Sequence, residues 1–295
     1  TLAFEAAVAV MLFARFLVTY DMPVARAAWE GVFHAVSAFN NAGFGLRSDS
    51  LISYNTDGWI LLPLAGALMI GGLGYPVLSE LVARLRERIR GMVHATPVSS
   101  RRLSVTTRIT LWGTAFLVVT AMLLIALLEW RGFLAGMPLG AKLLNAFFSG
   151  VTPRTAGFNS IDYADANPIT LMVTDLYMFI GGGSAGTAGG IKLTTAIVLL
   201  AAMAAEFRGR DDTTVGHRTV PKTVVRQAMT VAAAGVCAVT LGVAALRVFD
   251  PQFSADQVSF EVMSAFATTG LSTGITSSLS MPSQLVLCLL MYLGR

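Results

Sequence analysis

The chain has 295 residues, of which 55% are hydrophobic and 13% charged, with a mean hydropathy of +0.67, a net charge of +4 and two cysteines. Such values exclude an ordinary soluble domain and a disulfide-framed secreted module. What remains is an all-α polytopic membrane protein, and no nucleic-acid partner is expected.

Apolar runs of about span length fall at 1–20 (interrupted by Glu5 and Arg15), 59–79, 109–128, 168–205 (interrupted by Asp175 and Lys192), 227–246 and 279–294. Most approach the roughly 20 residues a helix needs to cross the hydrocarbon. The first run is read as a span and not as a signal peptide: Glu5 comes early, no basic start precedes it, and it leads into Asp21-Met22-Pro23. The first and last runs look cut, so flanking sequence is expected on both sides.

Basic residues set the expected orientation. Linkers 84–108 and 206–226 hold seven and five Lys/Arg, against two, three and one in 21–58, 129–167 and 247–278. The first pair is therefore expected in the cytoplasm. Ten acidic residues lie in the other three linkers, a negative field that would concentrate cations at that mouth.

Those three linkers contain an internal repeat. FHAVSAFNNAGFG from Phe33, FFSGVTPRTAGFN from Phe147 and FEVMSAFATTGLS from Phe260 align on Gly43, Gly157 and Gly270, spaced 114 and 113 residues apart. In each copy, 29–39, 140–151 and 256–267 read as half-helices, reaching about 17 Å at 1.5 Å per residue. A chain that turns back at that depth does so through non-helical backbone that is buried in protein or lines water. The turning peptides are Asn41, Ala42 and Gly43; Thr155, Ala156 and Gly157; and Thr268, Thr269 and Gly270. Glycine lets carbonyls face one axis by accepting positive φ, and the half-helix C-termini favour a cation there. Rings of carbonyls replace the hydration shell of potassium in channel filters.

Residues 168–205 form an apolar stretch longer than one span, broken at 181–190 by six glycines: Gly181, Gly182, Gly183, Gly186, Gly189 and Gly190. The helix is expected to break there at membrane depth, beside a cavity. Gly181, Gly183 and Gly186 also satisfy G-x-G-x-x-G, with Glu206 twenty residues on, but the preceding run is too long for the first strand of a βαβ unit and no parallel-sheet alternation follows. A phosphate-binding P-loop fails because Lys192 follows Ile191 and not glycine.

These motifs resemble the membrane–pore–membrane repeats of the Trk/Ktr/HKT superfamily of potassium transporters. FFSGVTPRTAGFNSID followed by GGGSAGTAGGIK is most similar to the bacterial Ktr/Trk membrane subunit. The resemblance implies repeats at 1–100, 101–212 and 213–295, a fourth copy upstream, and a filter on the nine turning residues named above. It also implies a gate made by the glycine-rich loop, with Lys192 and Arg295 as its polar partners. Potassium, with sodium the alternative, would be the transported ion, and no cofactor is expected. The implied partners are a second copy of the subunit, a cytosolic nucleotide-binding regulatory subunit and the lipid bilayer, and the implied location is the bacterial cytoplasmic membrane.

Other residues stand outside this pattern. Asp175 is either a cation-relay group or an acid near a helix start. Arg154 is expected to brace a carboxylate or a carbonyl behind the filter strand. Cys237 and Cys288 read as packing residues, and His34, His94 and His217 are assigned no metal. A secondary transporter binding a small solute at the midplane is the alternative, and inverted repeats with half-helix N-termini at the site would favour it. An enzyme is not expected, because the spans carry no nucleophile–base pair.

Overall fold

The computed structural model describes residues 2–94, 103–183, 186, 189–210, 212–216 and 218–295. His217 therefore lies outside the described residues, as do 184, 185, 187 and 188 of the glycine-rich segment. Eleven α-helices are described, α1 (Leu2–Thr19), α2 (Val24–Phe39), α3 (Gly58–Leu73), α4 (Tyr75–His94), α5 (Val105–Glu129), α6 (Leu139–Val151), α7 (Pro168–Phe179), α8 (Leu193–Phe207), α9 (Lys222–Phe249), α10 (Ala255–Phe266) and α11 (Met281–Gly294). A two-residue hairpin pairs Thr214–Val215 with Arg218–Thr219.

Helix α5 shows which solvent shapes the fold. Trp112, Phe116, Val119, Leu123 and Leu127 form an exposed stripe at helical spacing, while Thr107, Thr110, Thr114, Ala121 and Ile125 face inward. Large apolar groups outside and small or hydroxylated groups inside are the pattern for a helix solvated by lipid, where close packing and not water exclusion holds helices together. Among the described residues α1, α5 and α9 are each long and apolar enough to cross a membrane.

The run 59–79 departs from the expected single span. Helix α3 ends at Gly74, where φ is 90°, and α4 leaves at 107° to it. Pro76 follows Gly74 closely, and a left-handed glycine before a proline stops a helix because neither can continue its hydrogen-bond ladder. Glu80 of α4 then accepts from the backbone amide and the hydroxyl of Ser104, both at 2.8 Å, which ties α4 to the start of α5. The run 168–205 breaks as expected, into the short helices α7 and α8.

The short helices α2, α6 and α10 each pack on the long helix before them, α1, α5 and α9. Helix α2 also packs on α3, α10 on α11, α6 on α3 and α10 on α7. The half-helix of one copy thus rests on the second helix of the copy before it. Helix α2 begins at Val24, a turn and a half earlier than its expected start at Trp29.

At the end of the molecule bearing the half-helix linkers, a polar contact in each copy joins the helix before the half-helix to the helix after it. Tyr20 and Arg15 of the first copy donate to Asp57, the N-cap of α3, at 3.1 and 2.8 Å. Glu129 at the end of α5 accepts from the amide of Asn167, the N-cap of α7, at 2.9 Å and from the Thr170 hydroxyl. Asp250 after α9 accepts from the hydroxyl of Ser280, the N-cap of α11, at 2.7 Å.

Candidate ion pathway

Each half-helix ends in a left-handed turn. In α2 the amides of Ala42 and Asn41 donate to the carbonyls of Ser37 and Ala38, and in α10 those of Thr269 and Thr268 donate to Ser264 and Ala265. This is the Schellman closure, in which the residue past the C-cap takes positive φ. Glycine normally fills that place, but here Asn41 (φ 50°) and Thr268 (φ 52°) do. Helix α6 ends differently: Pro153 follows the C-cap Thr152, disfavours further helix, and lets the Ala156 amide bond to Thr152. Thr155 nonetheless arrives at φ 67°.

Two residues later Gly43, Gly157 and Gly270 have φ of 72°, 73° and 91°. The left-handed conformation therefore recurs at alternate residues in all three turns. The sequence reading named all nine turning residues but expected positive φ at the glycines alone, because β-branched threonine, at 155 and 268, is disfavoured there. Such strain persists only where surrounding structure over-determines it, and it clusters at functional sites.

The three turns meet. A Cβ on Gly43 would lie 2.5 Å from the Ala156 carbonyl oxygen and 2.8 Å from the Gly157 Cα, and one on Gly157 would lie 2.3 Å from the Thr269 oxygen. The strand through Gly157 is thus held between the other two. Its residues Thr155, Ala156 and Gly157 are buried, while Ala42 and Gly270 of the flanking strands are exposed. Between those flanking strands opens a cavity of about 580 Å³, lined by Asn41, Thr268, Thr269, Gly270, Glu261 and Arg295 among others.

Behind the third strand lies a carboxylate that sequence reasoning counted only as linker charge. Glu261, 4% exposed, accepts from the Thr273 amide at 3.0 Å and from the hydroxyls of Ser272 and Thr276 at 2.6 and 2.7 Å. Two helix glycines were also overlooked. A Cβ on Gly71 of α3 would fall 1.8 Å from the Phe39 oxygen and one on Gly294 of α11 would fall 1.7 Å from the Phe266 oxygen. In each case the second helix of a copy touches the last turn of its own half-helix. The only sequence signal is a glycine near the end of each apolar run.

The glycine-rich segment lies against the same strands. The Gly183 amide donates to the Gly72 oxygen at 2.9 Å, and the Gly190 amide to the Gly294 oxygen at 3.1 Å. Gly181 and Ile191 close its neck, with the Gly181 amide bonded to the Ile191 oxygen and the Ile191 amide to Phe179. The segment therefore bridges the ends of α3 and α11. Gly186 approaches Gly72 and Gly74, and Gly183 approaches Leu73 and Thr110. Gly182 accepts from the Leu193 amide at 3.0 Å, and Lys192 stands at the N-cap of α8, half-buried and within electrostatic reach of Arg295.

Asp175 lies two turns into α7, buried against α10, with one oxygen accepting from Ser259 at 2.8 Å and the other without a partner. Arg154 is buried, but its expected carboxylate brace is not formed: among the described residues the ion pairs are Arg15–Asp57, Arg26–Glu30 and Arg47–Asp49, and Arg154 Nε has no partner. Cys237 and Cys288, expected to pack inside, are exposed and unbridged.

A family model described as a cation transport protein, TrkH, matches residues 1–295. The chain is 37% identical over 269 residues to the Ktr system potassium uptake protein B of Bacillus subtilis, covering 90% of this chain and 57% of that protein. It is 34% identical to the potassium/sodium uptake protein NtpJ of Enterococcus hirae, covering 92% and 58%. The crystal structure of the potassium transporter TrkH from Vibrio parahaemolyticus shares the fold with a TM-score of 0.75 at 18% identity, covering the whole of this chain and 60% of that one. The chain thus spans a little over half the length of the relatives it matches.

Proposed function

The chain belongs to the TrkH cation transport protein family and to the multi-pass membrane proteins, and on that premise we propose that it forms most of a potassium uptake pathway, with sodium the alternative ion. Repeats at 1–100, 101–212 and 213–295 each contribute one filter strand, centred on Gly43, Gly157 and Gly270. The single observation behind this is the convergence of three alternately left-handed turns, with Gly157 wedged between Gly43 and the Thr269 oxygen. Alternate left-handed residues turn successive carbonyls to one side, where they can replace water around a dehydrated cation, and the C-termini of α2, α6 and α10 add negative potential. The cavity beside Gly270 is where a further strand would complete the ring.

The segment 181–190 acts as the gate in this reading, since its two amide anchors on Gly72 and Gly294 hold it between the ends of α3 and α11, with Lys192 and Arg295 beside it. Opening requires release of those anchors. A cytosolic nucleotide-binding regulatory subunit and a second copy of this chain are the proposed partners, with linkers 84–108 and 206–226 facing them. The test is uptake by the full-length polypeptide in a potassium-uptake-deficient host, and potassium flux in liposomes with and without removal of residues 184–188. Removal is expected to raise flux and reduce dependence on the regulatory subunit. A folded protein without potassium flux overturns the transport reading, and lost flux on removal makes the segment a structural hinge.

A further inference from the structure

Resting on the filter and gate assignments above, we propose that Thr268 and Asn41 couple the two: the glycine-rich segment props the filter through the side chains of these left-handed residues, so that its departure on opening also changes ion selectivity. The contact at Thr268 is direct. A Cβ on Gly189 would lie 2.2 Å from Thr268 Oγ1 and 2.7 Å from the Ala267 oxygen, so the loop backbone sits against the foot of the third strand with no room between them. Among the described residues the buried Thr268 hydroxyl has no hydrogen-bond partner, and packing against Gly189 is the contact seen on this side of the residue. The contact at Asn41 passes through one residue. Its side-chain amide nitrogen is 3.4 Å from a Cβ placed on Gly72, and the Gly72 oxygen accepts the loop amide of Gly183.

The central strand, through Gly157, differs: Thr155 turns its hydroxyl onto the Arg154 oxygen at 2.6 Å. Among the described residues, the loop contact at Gly189 falls on the third strand, which borders the cavity, and the one at Gly183 reaches Asn41 of the first strand through Gly72. Asn41 and Thr268 hold unfavourable dihedrals that only neighbouring structure maintains. For Thr268 the Schellman hydrogen bonds of α10 close the turn, and Gly189 packs on the side chain that those bonds leave unanchored. When Gly189 leaves, that packing is lost, Thr268 gains room to relax, and the carbonyl at the foot of the strand turns with it. Two sites biasing one two-state element is the condition for energetic coupling.

The experiment is a double-mutant cycle in the full-length polypeptide in liposomes, reading the potassium-to-sodium permeability ratio. Thr268→Ala and Thr268→Ser are each measured in the intact protein and in the protein lacking residues 184–189, which removes Gly189 with the rest of the loop. Thr268→Ala is expected to lower the ratio about fivefold or more in the intact protein and less than about twofold without the loop segment, a coupling in the usual range for contacting residues. Thr268→Ser keeps the hydroxyl against Gly189 and is expected to retain most of the selectivity, which keeps the test open if the alanine variant misfolds. Equal effects of Thr268→Ala in both backgrounds overturn the coupling while leaving filter and gate in place. If removing the segment leaves the flux of the parent unchanged, the gate assignment fails first and the coupling falls with it.

Discussion

The carboxylate of Glu261 accepts the backbone amide of Thr273 at 3.0 Å, so a side chain of the half-helix α10 fixes the segment leaving Gly270. Ser272 and Thr276 add hydroxyl donors to the same group. Hydrogen bonds to an ionised acceptor are worth about 1.5–3 kcal/mol each, and the penalty falls due when buried donors lose it. Glu261→Gln places an NH₂ where an acceptor is needed. The variant is expected to lose about 2–3 kcal/mol of stability and to show a reduced potassium-to-sodium ratio. Thermal unfolding in detergent and liposome flux check both, and unchanged selectivity in a folded Glu261→Gln protein assigns this carboxylate to stability alone.

Asp250 predicts a pH dependence. The hydroxyls of Ser283 and Ser280, the Ser280 amide and the Gln252 side chain hold its carboxyl down to about 2. A depressed carboxyl stabilises the fold above its unfolded value of about 4, and that contribution is lost as pH falls from about 4 to about 2. The melting temperature is therefore expected to be insensitive to this group between pH 5 and 8 and to fall below pH 4. Asp49, lowered chiefly by the Ser53 hydroxyl, acts with the same sign, so single variants separate the two. Asp250→Asn is expected to melt lower than the parent at pH 7 and to show a shallower acid decline. An equally steep decline would place the acid sensitivity elsewhere.

A pair of glycines in α3 tests the contact between helix and half-helix. Gly71 meets the Phe39 oxygen at 1.8 Å from a built Cβ, whereas Gly66 has nothing within 4 Å. Gly71→Ala must push the last turn of α2, and the turn through Gly43 after it, out of place, at a cost of about 3 kcal/mol, the upper end of overpacking. Gly66→Ala is expected to change stability by less than about 1 kcal/mol, with any gain coming from helix propensity. Melting temperature and uptake measured on both variants decide the matter. Equal behaviour would remove Gly71 from the support of the filter.

The half-helices and the glycines at their ends were legible because three copies at nearly equal spacing make a weak signal strong. The break near Gly181 was legible because an apolar stretch longer than one span cannot remain a single helix beside six glycines. Features created by contact between distant segments were not. Threonine at 155 and 268 argues locally against a left-handed turn, and tertiary packing overrides it. Gly71 and Gly294 read as small residues in apolar helices until the carbonyls they approach are seen. The bend at Gly74 was hidden by continued hydrophobicity through Leu78, although Gly74 and Pro76 together were a stop signal. Arg154 was expected to brace a carboxylate or a carbonyl, and which group a distant segment brings to it is not written in the sequence.

Gly157 and Gly136 separate the two reasons for glycine at a left-handed position. Both take positive φ, 73° and 79°, but Gly136 has open space where a Cβ would go, while that of Gly157 would lie 2.3 Å from the Thr269 oxygen and 3.1 Å from the Gly43 Cα. Gly136→Ser therefore meets only the left-handed backbone penalty, about 1–2 kcal/mol, in a linker away from the converging strands. Gly157→Ser meets that penalty and also forces apart the strands through Gly43 and Thr269. A carbonyl ring that widens no longer replaces the hydration shell of potassium as closely and so discriminates less between potassium and sodium. Gly136→Ser is expected to lower the melting temperature slightly with selectivity intact, and Gly157→Ser to cut growth at low potassium and raise sodium permeability. Surface expression, growth of a potassium-uptake-deficient host and the permeability ratio check the pair. Unchanged selectivity in a well-expressed Gly157→Ser protein would take Gly157 out of the ion pathway, and with it the central strand of the proposed filter.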